Sequence, residues 1–250
     1  MKITFLGTGT STGVPQIACN CKVCKSTDPK DKRLRASVLV SNAKHNVLID
    51  CGPDFRQQLL QHAIHHIDSI LLTHEHYDHV SGLDEVRPLR EVTVYAEKRV
   101  LEVVKKNLPY VFNEHPYPGA PKINLLEITN FTNMFQVPGF EIQPIRLFHH
   151  KLPILGFRIA NFAYLTDFSS IEEKELKKLD GLEVLVLDAL RKYPHQAHVM
   201  LSEALQLVDR IKPQKAYFTH LSHEMGLHNE EQALLPENVF FAWDGLQIEL

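Results

Sequence analysis

Apolar and polar positions along the chain alternate in short blocks, and most of these blocks carry a strand's period of two rather than a helix's. Residues 2–6, 37–40 and 46–49 are β-prone runs bounded by turn-forming segments, and 69–73 is a fourth that ends in a dense polar cluster. Asp54 reads as the N-cap of a helix through Ala63, and 97–107 as a helix with one apolar face following a strand at 93–96. Residues 109–121 form a proline- and aromatic-rich connection suited to a lid, a dimer contact or a plain surface crossing. Strands return at 123–128 and 140–148, and 156–160 pairs with 162–166 around Asn161. A helix over 172–179, a buried strand over 182–188, an amphipathic helix over 199–211 and a strand over 214–219 follow. The closing strands, 238–243 and 246–249, flank Asp244-Gly245, which predicts a hairpin turn. No glycine- or serine-rich linker divides the chain and no repeat of solenoid length occurs, so the pattern predicts one mixed α and β domain over residues 1–250.

The polar cluster after residue 73 changes the picture from fold to chemistry. His74, His76, Asp78 and His79 fall within six residues at a strand's C-terminal end. Side chains two apart on an extended chain point the same way, so His74 and His76 can hold one ion while Asp78 and His79, beyond the bend, hold a second. Cys19, Cys21 and Cys24 form the next cluster, three of four cysteines in the chain. They are too close for a mutual disulfide, and their density suits thiolate coordination of zinc, which takes four tetrahedral ligands. The fourth candidate is His223, which follows His220 on one loop. Cys51 reads as a small packed hydrophobe.

Gly7, Gly9 and Gly13 open tight turns after the first strand, but no helix of the register needed for dinucleotide binding follows. A structural turn at the rim of the site is the expectation. Residues 25–35 are a locally basic, solvated loop from which Arg33 and Arg35 could reach an anion. His45, His62, His65, His66, His115, His195 and His228 are expected to be ordinary surface or packing residues.

Composition mostly excludes. A formal charge of −3, from 27 Lys+Arg against 30 Asp+Glu, provides no global positive field, so nucleic acid is not an expected partner, while a small anion is compatible. Neither an apolar secretion-signal core nor a run of membrane-spanning length is present, so a cytoplasmic protein without membrane association is expected.

His74-x-His76-x-Asp78-His79 after an apolar strand resembles the metal signature of the metallo-β-lactamase superfamily, mostly hydrolases with a dinuclear site. With Cys19-x-Cys21-x-x-Cys24 behind the opening glycine loop, the chain is most similar to the phosphodiesterase branch represented by phosphoribosyl cyclic phosphate phosphodiesterase. The resemblance runs from Gly7 to the last strand and implies an αββα sandwich: two mixed sheets face to face, helices on both outer faces. It implies that His74, His76 and His149 hold one ion and Asp78, His79 and His220 the other, with Asp167 bridging, and it favours His149 over His150. It implies two divalent ions, zinc, manganese or iron, plus one structural zinc on Cys19, Cys21, Cys24 and His223. Asp50 would orient the ligand loop, His198 would protonate the leaving group, and a homodimer is compatible with the family.

The activity so implied is hydrolysis of small, cyclic phosphodiesters by a metal-bridging hydroxide. Two alternatives share the signature: RNA 3′-end processing of the tRNase Z kind, and a non-hydrolytic accessory role like that of the pyrroloquinoline-quinone (PqqB-like) relatives. The missing basic, glycine-rich arm weighs against the first, and the complete donor set against the second.

Overall fold

The β-prone blocks sort into two sheets in a computed structural model that describes all 250 residues, Met1–Leu250. In chain order the strands are β1 (Lys2–Gly7), β2 (Ser37–Ser41), β3 (Asn46–Ile49), β4 (Ser69–Leu71), β5 (Val92–Ala96), β6 (Ile123–Glu127), β7 (Phe135–Val137), β8 (Phe140–His149), β9 (Leu152–Ile159), β10 (Phe162–Leu165), β11 (Ser170–Ile171), β12 (Val184–Asp188), β13 (Lys215–Thr219), β14 (Val239–Phe241) and β15 (Gln247–Glu249). The first sheet has the order β15-β1-β2-β3-β4-β5-β6 and the second β11-β8-β9-β10-β12-β13-β14, with β7 on β8. Both change character midway: β1, β2 and β3 pair antiparallel before β3 to β6 run parallel, and β8, β9 and β10 pair antiparallel before β10, β12, β13 and β14 run parallel.

Period two explains how one strand serves two cores. Ile3 and Phe5 of β1 and Val47 and Ile49 of β3 face Phe157, Tyr164 and Val186 of the other sheet, making the interlayer core. The intervening Leu48, with Ile70 and Leu72, faces the helices Phe55–Gln61 and Lys98–Asn107, which contribute Phe55, Leu59, Val100 and Val104. On the far side Leu185, Leu187 and Phe218 pack under Ala204 and Val208 of the helix Leu201–Ile211. Helix, sheet, sheet, helix is therefore the layer order, as the resemblance implied. Each fully buried Leu, Ile or Phe in these layers contributes about 1.5–3 kcal/mol of apolar transfer. No helix is long and apolar enough to cross a membrane.

Three expectations fail for physical reasons. The closing strands make no hairpin: β14 pairs parallel with β13 in the second sheet, whereas β15 pairs antiparallel with β1 in the first, so Asp244-Gly245 carries the chain between layers. Asp54 makes no side-chain cap, because its carboxylate accepts from the backbone N–H of Arg35 (2.8 Å) and pairs with its guanidinium (3.2 Å). Arg33 is not solvated; it is buried and donates to Thr8 Oγ1 (2.7 Å) and the Ala242 carbonyl (2.6 Å), while Arg35 donates to the Ser11 carbonyl (3.1 Å). The helix expected over 172–179 forms, as one α-turn, Glu173–Leu176, that tightens into a 3-10 turn, Lys177–Leu179. Within the proline-rich connection, Pro109–Phe112 is a helical turn whose Tyr110 hydroxyl donates to Asp84.

Candidate active site

Parallel strands deliver the chemistry at their C-terminal ends. Asp50 follows β3, Thr73 and His74 lie just past β4, Asp167 stands two residues beyond β10, Asp188 ends β12 and His220 follows β13, while His149 ends β8. Asp50, Asp167 and His220 adopt left-handed φ of 63°, 57° and 58°. For a non-glycine residue that conformation costs on the order of 1–2 kcal/mol, and it turns each side chain sharply off its strand. Close backbone packing seats the histidine-rich segment. A Cβ on Gly52 would lie 2.0 Å from the Asp78 carbonyl and one on Gly82 2.1 Å from that of Gly52, so only glycine lets these turns touch.

Beneath the cluster is a fully satisfied carboxylate. Asp50, entirely buried, accepts from the Thr73 N–H (2.8 Å), the Thr73 hydroxyl (2.9 Å) and His79 Nδ1–H (2.7 Å). With the Thr73 proton directed to Asp50, Thr73 Oγ1 accepts from His74 Nδ1–H (2.9 Å). Both imidazoles thus present Nε2 lone pairs inward, and His74, His79 and His220 Nε2 are buried with no hydrogen-bond partner. Facing them are carboxylates: Asp167 Oδ2 lies 3.1 Å from His79 Nε2 and 3.0 Å from His220 Nε2, and Asp78 Oδ2 3.1 Å from His79 Nε2. Lone pairs and anionic oxygens at such distances repel unless a cation lies among them.

The electrostatics express the same demand. Burial opposes charge on His220 and His79, yet Asp167 and its neighbours reverse this, raising His220 to about 10 and His79 well above the ordinary histidine value. Burial likewise disfavours an ionised Asp167, but His220 and His79 hold it well below the usual carboxylate range. On His149 burial outweighs the opposing charge of Asp167 and pushes it down to about 4. A divalent ion held by these residues would supply the positive charge that the carboxylates draw, with neutral imidazole as ligand.

The structure gathers His74, His76 and Asp167 in one set of potential ligand atoms within 4.8 Å of one another, and Asp78, His79 and His220 in another. His149 groups with Asp167 and His198, its ring 5.0 Å from that of His76, whereas His150 is exposed and turned away at φ 55°. These residues fit a pair of divalent ions. One partner escaped sequence reading. Asp188, fully buried, accepts from His198 Nδ1–H (2.8 Å) and stands 3.7 Å from His220 Nδ1. Its signal was available: like Asp50, it ends an apolar strand.

The cysteines converge as their spacing requires. Cys19 and Cys21 Sγ lie 3.5 and 3.4 Å from His223 Nδ1, and with Cys24 the four ligand atoms fall within 4.8 Å. Bond lengths of about 2.3 Å to sulfur and 2.0–2.1 Å to nitrogen give a tetrahedral S···N edge of about 3.5 Å, so this cradle fits one structural zinc. Gly9 and Thr10 of the opening loop bond to Leu34 and Leu221, which sets that loop against the His220 turn as expected of a structural rim.

Fold and donor set together are those of a metallo-β-lactamase-type protein with a cluster able to bind metal. A family model described as a beta-lactamase superfamily domain matches residues 45–221. A solved diphosphatase of the PhnP family superposes with a TM-score of 0.93 at 39% identity, covering 100% of this chain and 97% of that one. An octanoyltransferase of Porphyromonas gingivalis is 42% identical over 252 residues, 99% of this chain but 51% of that protein. A coenzyme PQQ synthesis protein B of Xanthomonas campestris is 32% identical over 162 residues, 56% of this chain and 54% of that protein. The chain thus spans about half the length of the Porphyromonas relative. It belongs to the metallo-β-lactamase superfamily and is PhnP-like within it.

Proposed function

We propose that this protein is a dinuclear-metal-dependent phosphodiesterase acting on small substrates, cyclic phosphodiesters and diphosphate diesters foremost. In this reading His74, His76 and His149 hold one ion, Asp78, His79 and His220 the other, and Asp167 both. When bound, the ions supply Lewis acidity toward phosphoryl oxygens and an activated water. Asp50 fixes the tautomer and orientation of His79, and through Thr73 those of His74.

The observation that carries the reading is the buried Asp188–His198 pair beside the ligand cluster. Because Nδ1–H is directed to the Asp188 carboxylate, the His198 ring is held in orientation and its Nε2 is left for the leaving oxygen. In hydrolysis the water oxygen bonds to phosphorus, the bond from phosphorus to the leaving oxygen breaks, and His198 protonates that oxygen. The water's own proton passes to solvent. The diphosphatase activity of the PhnP-family neighbour supports this class. The octanoyltransferase name belongs to a protein about twice as long; for acyl transfer through a cysteine, Cys51 is wholly buried and the other three cysteines are gathered in the zinc cradle.

The test is turnover by the metal-loaded protein of a 2′,3′-cyclic nucleotide, diadenosine diphosphate, bis(p-nitrophenyl) phosphate and a precursor tRNA. His198→Ala should lower kcat on the cyclic nucleotide by about 10²- to 10⁴-fold with metal content unchanged. The loss should be far smaller on bis(p-nitrophenyl) phosphate, whose phenolate leaves unaided. A fully loaded protein inert to the three small substrates sinks the proposal, and preference for precursor tRNA replaces it with the RNA-processing alternative.

A further inference from the structure

His195, expected to be an ordinary surface histidine, lies with its ring centroid 4.9 Å from that of His198. It rides on the segment between β12 and the helix Leu201–Ile211, which has no regular structure yet is held firmly. Leu190 N–H donates to the Val199 carbonyl (3.2 Å) and Leu201 N–H to that of Arg191 (2.9 Å), closing the segment at its base. Arg191 then ties its tip, donating to the Pro194 carbonyl (3.0 Å) while pairing with Glu224 (2.7 Å). Lys192 pairs with Glu231 (2.5 Å). The two cations of this lip are therefore engaged by acids, and His195, beside His198, is exposed.

Its tautomer is fixed by the backbone. The Ala197 N–H donates to His195 Nδ1 (3.2 Å), so in the neutral ring the proton sits on Nε2. The result is a preset N–H donor on an exposed ring that lies next to His198. Resting on the phosphodiesterase reading, in which His198 faces the leaving oxygen, we propose that His195 is a substrate-contacting specificity residue. Its Nε2–H donates to an anionic oxygen on the leaving group, favouring substrates in which a second phosphate adjoins the scissile bond.

The experiment compares wild type, His195→Ala and His195→Gln as metal-loaded proteins on two substrates and one inert ligand. On diadenosine diphosphate, whose leaving group is a phosphate, His195→Ala should lower kcat/KM by about 10- to 100-fold, the loss expected for a hydrogen bond to a charged group. On bis(p-nitrophenyl) phosphate it should change kcat/KM less than about twofold, because that leaving group has no anionic oxygen beside the scissile bond. Glutamine, which restores an N–H donor, should recover part of the loss. Calorimetric binding of imidodiphosphate should weaken in parallel in the alanine variant, with Tm unchanged. Equal losses on both substrates, or none on the diphosphate together with unaltered imidodiphosphate affinity, overturn the proposal. If wild type turns over neither substrate, the phosphodiesterase reading fails, and the imidodiphosphate arm still decides for or against the His195 contact.

Discussion

The His/Asp cluster and the Cys/His cluster are joined by the short stretch from His220 to His223, yet they are built on opposite terms. In the first, buried imidazoles and carboxylates stand on the ends of strands from both sheets, and the unpaired nitrogens and left-handed turns are supported by the cores beneath. In the second, the thiols sit on a loop, Cys19 and Cys21 half-exposed, with little core of their own: a cluster of Val14, Val23 and Cys24. The fold preorganises one site; the other must itself organise the fold locally. Other links do reach that loop, since Asp31 accepts from the His228 N–H (2.7 Å), Asn229 donates to Asp28 (2.7 Å) and Lys22 meets Glu230 (2.8 Å). The last pair is largely exposed and worth little. Stability should therefore depend on the cysteine cradle, and activity on the strand-end cluster.

The largest effect expected from this contrast is on folding. Cys21→Ser should remove one metal equivalent and lower Tm by about 5–10 °C, since metal binding there is folding free energy. Elemental analysis with a thermal melt measures both, and an unchanged Tm after loss of that equivalent would mean the protein links suffice. Next, Asp50→Asn should weaken metal binding at the strand-end cluster by about 10- to 100-fold through misoriented His79 and His74, leaving the cysteine cradle loaded. Titration against a chromophoric chelator separates the two sites. Loss of metal from both would contradict their independence.

The smallest effect concerns the links at residue 228. Burial and the adjacent Arg33 guanidinium lower His228 to about 4, against 6.5 as its ordinary value. A depressed folded-state value stabilises above the unfolded value and loses that contribution as pH falls from 6.5 toward 4. Between pH 7 and 5 wild type should lose about 1–2 kcal/mol that His228→Gln does not lose. Urea midpoints at both pH values measure this, and parallel shifts in the two proteins would remove His228 from the account.

Local pattern made much of this legible. The strand-end segment from His74 to His79 and the run from Cys19 to Cys24 bring most donors together by chain proximity, so spacing alone located them. Distant partners, among them His149, Asp167 and His220, entered through resemblance, because the strands that deliver them are ordinary apolar runs. Asp188 and His195 went unread for a related reason. An aspartate ending a buried strand is a faint signal and a histidine in a polar loop none, and only the segment closed by the Leu190 N–H on the Val199 carbonyl sets the first against His198. Asp244-Gly245 shows the converse error: the turn chemistry was read correctly, but a turn does not say which sheet its second strand will join.

By itself, then, the sequence determined the alternation that builds two-faced strands, the thiol and imidazole clusters, and the absence of a strong net charge. Tertiary structure decided which strand ends meet, which lone pairs face one another unpaired, and which histidine stands beside the Asp188–His198 pair. The physical reason is range: periodicity and ligand spacing act over a few residues of chain, whereas burial and opposed charges act through space between segments that are far apart in sequence.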